Sequence, residues 1–289
     1  MNQKSIPKES YKDKKVTVMG LGLFGGGVGA AKFLVSQGAD VMVTDLKSAG
    51  ELSASLKLLN GLPVKFRLGE HSEEDFADAD MLVVNPAVPD DSSFLQIACD
   101  NDVQIDSELN IFFRFVHAPV IGITGSNGKS TTTSLLGEML KEAGIKTWVG
   151  GNIGVSLLEH LDEIKPDDVV VLEISSFQLE LLSRIEMSPH ISIVTNIAPN
   201  HLDRHKTMEN YLAAKMRLFT EVLPRDGTAV LNADVPEFEQ IKSTCDARGI
   251  RVLSYGHTAQ DIVIQSRDTL PQGQALSLDV CGQTYNIEL

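Results

Sequence analysis

The chain has 289 residues, with 25 Lys plus Arg against 39 Asp plus Glu and a formal charge of −14, which argues against a general binder of nucleic acid or other polyanions. Its three cysteines, Cys99, Cys245 and Cys281, have neither metal-ligand spacing nor an even count, which argues against structural zinc and fits reduced thiols. The charged N-terminus runs to Lys15, and the apolar run after it ends at Gly20, too short for a signal-peptide core or a membrane span. The expectation is a cytoplasmic protein without a membrane or nucleic-acid partner.

Apolar or β-branched runs at 16–19, 41–44, 64–66 and 81–84 alternate with helically spaced segments, the pattern of a parallel α/β sheet. Gly20-Leu21-Gly22-Leu23-Phe24-Gly25 follows the first run, and Asp45 ends the second. Taken alone, this is a dinucleotide fingerprint, with glycines for close approach of a diphosphate and an acid for a ribose hydroxyl. It fits a nucleotide-sugar diphosphate equally well, and a strand-to-helix turn that binds nothing has the same residues. A Rossmann-like domain over 1–117 is predicted, ended by His117-Ala118-Pro119.

A second series of strands is predicted at 120–124, 169–174, 191–196, 229–232 and 252–255, within a P-loop ATPase-like α/β domain over 118–289. Between its first strand and a helical pattern stands Thr124-Gly125-Ser126-Asn127-Gly128-Lys129-Ser130-Thr131. The backbone N–H groups of such a loop and helix start can hold phosphate oxygens, Lys129 supplies a point charge, and Ser130 can hold Mg²⁺. Ile123 stands where the strict phosphate-loop pattern requires glycine, yet strand, glycines, lysine, hydroxyl and helix come in the right order.

Glu173 ends the strand at 169–174, on the rim that a parallel sheet shares with the phosphate loop, so it is either a Mg²⁺ ligand or a solvated carboxylate. Ser175-Ser176-Phe177-Gln178-Leu179-Glu180 and Asn200-His201-Leu202-Asp203-Arg204-His205 add polar groups after neighbouring strands. Within 208–223, Lys215 falls inside the apolar stripe of Met208, Tyr211, Leu212, Leu218, Phe219 and Val222. It either snorkels to solvent or is buried with a lowered pKa, able to take up CO₂ as a carbamate that ligates metal. After residue 262, Leu276, Leu278 and Val280, then Tyr285, Ile287 and Leu289, alternate with polar residues about Gly282-Gln283, which predicts an antiparallel hairpin.

Together with Gly150-Gly151-Asn152-Ile153-Gly154 and Tyr211-Leu212-Ala213-Ala214-Lys215, these segments resemble the Mur ligases, in the family's order. The resemblance implies a UDP-substrate domain, a central ATP domain, and a third, amino-acid-binding domain absent from this chain, which alone is then expected to be inactive. The Ser175 to Glu180 run is most similar to members that join D-glutamate to UDP-N-acetylmuramoyl-L-alanine, using ATP and Mg²⁺, in peptidoglycan precursor synthesis. Carried over, Gly125 to Thr131 bind ATP, and Ser130 and Glu173 share one Mg²⁺. His201 and carbamylated Lys215 hold another, and Lys129, His201 and Lys215 form the catalytic set. Gly22, Leu23, Phe24, Asp45, Asn152, Ser175 and Gln178 contact the UDP-muramoyl substrate, and the protein is expected to be a monomer. Phe24 and Asn85-Pro86-Ala87 depart from the family's usual residues at their turns. The alternatives are another ligase of the superfamily, such as folylpolyglutamate synthase, and a nucleotide-sugar-binding or inactive module.

Overall fold

The computed structural model describes residues 11–22, 25–185, 187–219, 224 and 226–288. The first unit runs β1 (Lys15–Met19), α1 (Gly26–Ser36), β2 (Asp40–Asp45), α2 (Ser53–Leu58), β3 (Val64–Leu68), α3 (Glu74–Ala77), β4 (Met81–Val84), α4 (Ser93–Asp100), β5 (Gln104–Asp106) and α5 (Glu108–Phe115). Its strands form one parallel sheet in the order β3-β2-β1-β4-β5. All four residues of β4 are buried, as expected of a strand covered on both faces. Strand order reverses at β1, so the crevice beyond the C-terminal ends of β1 and β4 is where such a sheet takes a ligand. The Gly20 turn lies there.

The second unit runs β6 (Val120–Thr124), α6 (Lys129–Glu142), β7 (Thr147–Gly151), β8 (Val169–Glu173), α7 (Ser176–Leu182), β9 (Ile191–Val194), α8 (Leu202–His205), α9 (Met208–Arg217), β10 (Thr228–Asn232), α10 (Phe238–Arg248) and β11 (Arg251–Gly256), then β12 (Ile262–Leu270), β13 (Gly273–Val280) and β14 (Gln283–Glu288). Its sheet has the order β14-β13-β12-β11-β10-β9-β6-β8-β7. The order reverses at β6, which puts the phosphate loop at the second switch point. One apolar cluster runs through both units, from Phe33 and Phe112 to Leu172 and Leu182. Across the junction Asn110 Nδ2 on α5 donates to the Leu181 carbonyl at 3.0 Å, and Lys32 pairs with Glu159 at 2.8 Å.

The predicted strands are all present, and three further ones appear. β5 is three residues long, and β7 ends in two glycines, so neither carries a strand-like apolar pattern. The expected hairpin is β13 and β14, but β12 pairs antiparallel with β13 and parallel with β11, so the chain closes on a three-stranded ribbon. Its Gln265-Ser266-Arg267-Asp268 stretch is exposed, which hid the strand from a reading based on apolar alternation. Leu289 lies outside the described residues.

Candidate active site

The phosphate loop is built by backbone geometry that glycine alone supplies easily. Gly125 has φ +146°, and a Cβ there would stand 2.0 Å from Thr195 Oγ1; Gly128 caps α6 at φ +78°, in the left-handed region. Thr132 N donates back to the Gly128 carbonyl, so the N–H groups before it lie in the helix's unsatisfied first turn. Asn127, Gly128, Ser130 and Thr131 are exposed on this rim. Lys129 Nζ turns back to the Ser126 carbonyl at 3.0 Å. The loop is held from below: Ser126 Oγ donates to the Ala198 carbonyl at 2.8 Å and meets Tyr211 OH at 2.9 Å, while Asn196 Oδ1 accepts from Asn127 N at 3.0 Å.

Glu173 is 2% exposed. Ser130 Oγ donates to its Oε2 at 2.6 Å and Asn152 Nδ2 to its Oε1 at 2.9 Å, which satisfies both oxygens of a buried carboxylate. Asn152 in turn lines a cavity of about 460 Å³ between the two units, whose walls also carry Gly22, Lys47, Asn85, Ser175 and Gln178. Ser175 and Gln178 form a capping box on α7, Gln178 N donating to Ser175 Oγ at 3.2 Å and Ser175 N to Gln178 Oε1 at 2.9 Å. Asp45 closes the glycine turn: its Oδ2 accepts Leu21 N at 2.9 Å and Gly22 N at 3.3 Å, and its Oδ1 accepts Lys47 N at 2.9 Å.

Lys215 does not snorkel. It is 2% exposed beneath the loop, donating to the Gly125 carbonyl at 2.9 Å and lying 4.7 Å from the Tyr211 ring centroid. Burial, helped by the Lys129 charge, lowers its pKa to about 7, which leaves a large neutral fraction near neutral pH. His201 sits on the exposed rim in a left-handed conformation, φ 52°, with its ring 5.1 Å from that of Phe177. Phe177 stacks on His205 at 5.2 Å, and His205 meets Tyr211 at 5.3 Å, so a row of rings joins His201 to the Lys215 side. His205 also bonds Ser176 Oγ at 3.0 Å, and burial lowers its pKa.

A family model described as Mur ligase middle domain matches residues 123–289, and one described as Mur ligase MurD-like, N-terminal domain, matches residues 14–107. The chain belongs to the Mur ligase family. Among curated relatives, the UDP-N-acetylmuramoylalanine--D-glutamate ligase of Roseiflexus sp. (strain RS-1) is 51% identical over 223 residues, 77% of this chain and 48% of that protein. The protein of the same name from Geobacter metallireducens is 44% identical over 223 residues, again 77% and 48%. This Mur ligase chain thus spans about half the length of the curated relatives it matches. Two solved structures share its fold. The UDP-N-acetylmuramate:L-alanyl-gamma-D-glutamyl-meso-diaminopimelate ligase of Neisseria meningitides has a TM-score of 0.61 at 17% identity, covering 94% of this chain and 86% of that one. The UDP-N-acetylmuramate-alanine ligase MurC of Thermotoga maritima has a TM-score of 0.57 at 23% identity, covering 96% and 60%.

Of the residues singled out in this Mur ligase sequence, the fold gathers Ser130, Glu173 and Asn152 into one hydrogen-bonded line, turns Lys129 back onto the Ser126 carbonyl, and puts Gly22, Ser175 and Gln178 on the cavity wall. Leu23 and Phe24 lie outside the described residues. Among the described residues no group of three or more His, Cys, Asp or Glu side chains is placed to hold a metal, and no helix is long and apolar enough to cross a membrane. Glu108 and Ser156, hydrogen-bonded at 2.7 Å in the cavity wall, carried no sequence signal, because they meet only when the two units pack.

Proposed function

We propose that this chain is the UDP-substrate and ATP-binding part of a cytoplasmic, monomeric ligase that adds D-glutamate to UDP-N-acetylmuramoyl-L-alanine for peptidoglycan precursor synthesis. The observation that carries this reading is the line from Ser130 through Glu173 to Asn152, which joins the phosphate loop to the wall of the inter-unit cavity. A nucleotide triphosphate on the loop and a nucleotide-sugar in the cavity would then meet at one carboxylate. The names of the relatives support the choice of acceptor and amine.

The reaction fits two steps: the substrate carboxylate attacks the γ-phosphorus of ATP with release of ADP, and the D-glutamate amine attacks the acyl phosphate with release of phosphate. The N–H groups at the start of α6 and the Lys129 ammonium stabilise charge on the transferring phosphoryl group, where positioning and electrostatics dominate. Ser130 and Glu173 offer the paired oxygen donors, one of them ionisable, that a hard divalent cation prefers, so Mg²⁺ fits there and would supply charge neutralisation. The neutral Lys215 amine can attack CO₂ and lose a proton to become a carbamate, adding an anionic oxygen ligand beside the loop. His201, on the rim, would orient the acceptor carboxylate or join that ligand set. Asn152, Ser175 and Gln178 contact the muramoyl-alanine portion, and the Gly20 to Gly22 turn, held by Asp45, faces the UDP portion.

The test is phosphate release from ATP by the full-length protein. It should require both UDP-N-acetylmuramoyl-L-alanine and D-glutamate, and Lys129→Ala should nearly abolish it. Equal turnover with L-glutamate or with a folate acceptor would overturn the assignment.

A further inference from the structure

Arg204 is a cation at the site that the reaction above leaves without a task. Its guanidinium lies 4.2 Å from the centroid of the Phe177 ring, on the second unit. From there Nη1 donates to the Pro86 carbonyl of the first unit at 2.8 Å, 118 residues away in sequence, and Nη2 donates to Asp90 Oδ1 at 3.4 Å. Glu180 Oε2, on α7, is 3.9 Å from the same Nη2. The group is therefore shared between a carbonyl and a carboxylate on one side and a ring and a carboxylate on the other. Its side chain is 18% exposed, so the Pro86 and Glu180 contacts are made largely out of water, where charge-assisted hydrogen bonds weigh more, whereas Asp90 is an exposed, weaker partner.

The contacts lead directly to the cavity. Asn85 and Pro86 line one wall and Phe177 the other. Asn85 also presses on the glycine turn, since a Cβ on Gly20 would stand 2.9 Å from Asn85 Cβ, and Asn85 Nδ2 donates to the Gly20 carbonyl at 3.4 Å. One guanidinium thus touches both walls and, through Asn85, the turn that Asp45 closes.

We propose that Arg204 is a positioning residue, a strut that fixes the loop at 85–90 against α7 and so sets the width of the cavity that takes the nucleotide-sugar. The inference rests on the reading of that cavity given above. Lysine cannot replace it: the fork reaches Pro86 and Asp90 while its carbon stays over the Phe177 ring, and a point ammonium does only one of these.

The test combines hydrogen–deuterium exchange with calorimetry on this chain as wild type, Arg204→Ala, Arg204→Lys and Asp90→Asn. In Arg204→Ala, amides at 87–92 should exchange about tenfold faster and the Kd for UDP-N-acetylmuramoyl-L-alanine should rise about tenfold, with ATP affinity unchanged. Arg204→Lys should recover little of either, and Asp90→Asn should have a smaller effect that vanishes in the Arg204→Ala background. Unchanged exchange at 87–92 in a folded variant, or an equal loss of ATP affinity, would overturn the strut. Should the alanine variant not fold, the lysine variant is read by the same criteria. Wild type that fails to bind the UDP substrate would sink the functional reading, while the exchange measurement still decides whether Arg204 holds the loop.

Discussion

Replacing Glu108 by glutamine should stabilise the chain at alkaline pH and leave it unchanged in acid. Burial in the cavity wall pushes the Glu108 carboxyl from 4.5 up to about 7, only partly offset by the hydrogen bond from Ser156 at 2.7 Å. Between those two values the folded chain keeps a proton that the unfolded chain releases, so stability falls as pH rises through the window and stays lower above it. A shift of that size corresponds to roughly 3 kcal/mol at about 1.36 kcal/mol per unit, reduced to about 2 kcal/mol because the cavity admits some solvent. Glutamine keeps the shape and can still accept from Ser156 without becoming charged. Urea unfolding at pH 4.5 and pH 8 is the assay: Glu108→Gln should match wild type at the first and exceed it by about 2 kcal/mol at the second. A difference that is the same at both pH values, or a wild type that is the more stable at pH 8, would refute the reasoning.

Gly125→Ala should destabilise the chain by more than about 2 kcal/mol, since a Cβ at φ +146° would overlap Thr195 Oγ1; thermal unfolding checks it, and a stable variant would mean the loop has another accessible path. Lys215, with its pKa lowered to about 7, should give a carbamate signal in ¹³C NMR under ¹³C-bicarbonate near pH 8, and Lys215→Met should lose that signal. No difference between the two spectra would leave Lys215 as a support for the Gly125 carbonyl alone.

What the sequence disclosed depended on whether a feature was local. β1, β4 and β8 are apolar runs because both faces of their sheets are covered, and the glycines, lysine and hydroxyl of the proposed phosphate loop are contiguous, so they could be read together. Short β5 and glycine-ended β7 are strands only because a neighbour offers a ladder. For Lys215 the stripe position left burial and snorkelling both open, with snorkelling the commoner fate of such a lysine, and packing under the loop decided for burial. The Glu108–Ser156 and Arg204–Pro86 contacts join residues 48 and 118 positions apart, and no periodicity encodes a contact that exists only once two units dock.

The most direct test of the account is calorimetric titration of this chain with UDP-N-acetylmuramoyl-L-alanine, in the presence and absence of a non-hydrolysable ATP analogue and Mg²⁺. The UDP substrate should bind saturably and one-to-one in the inter-unit cavity, more weakly in Asn152→Ala, and the nucleotide should bind separately, at a site that Lys129→Ala removes. No heat from the UDP substrate at high micromolar concentration, or binding indifferent to Asn152, would contradict it.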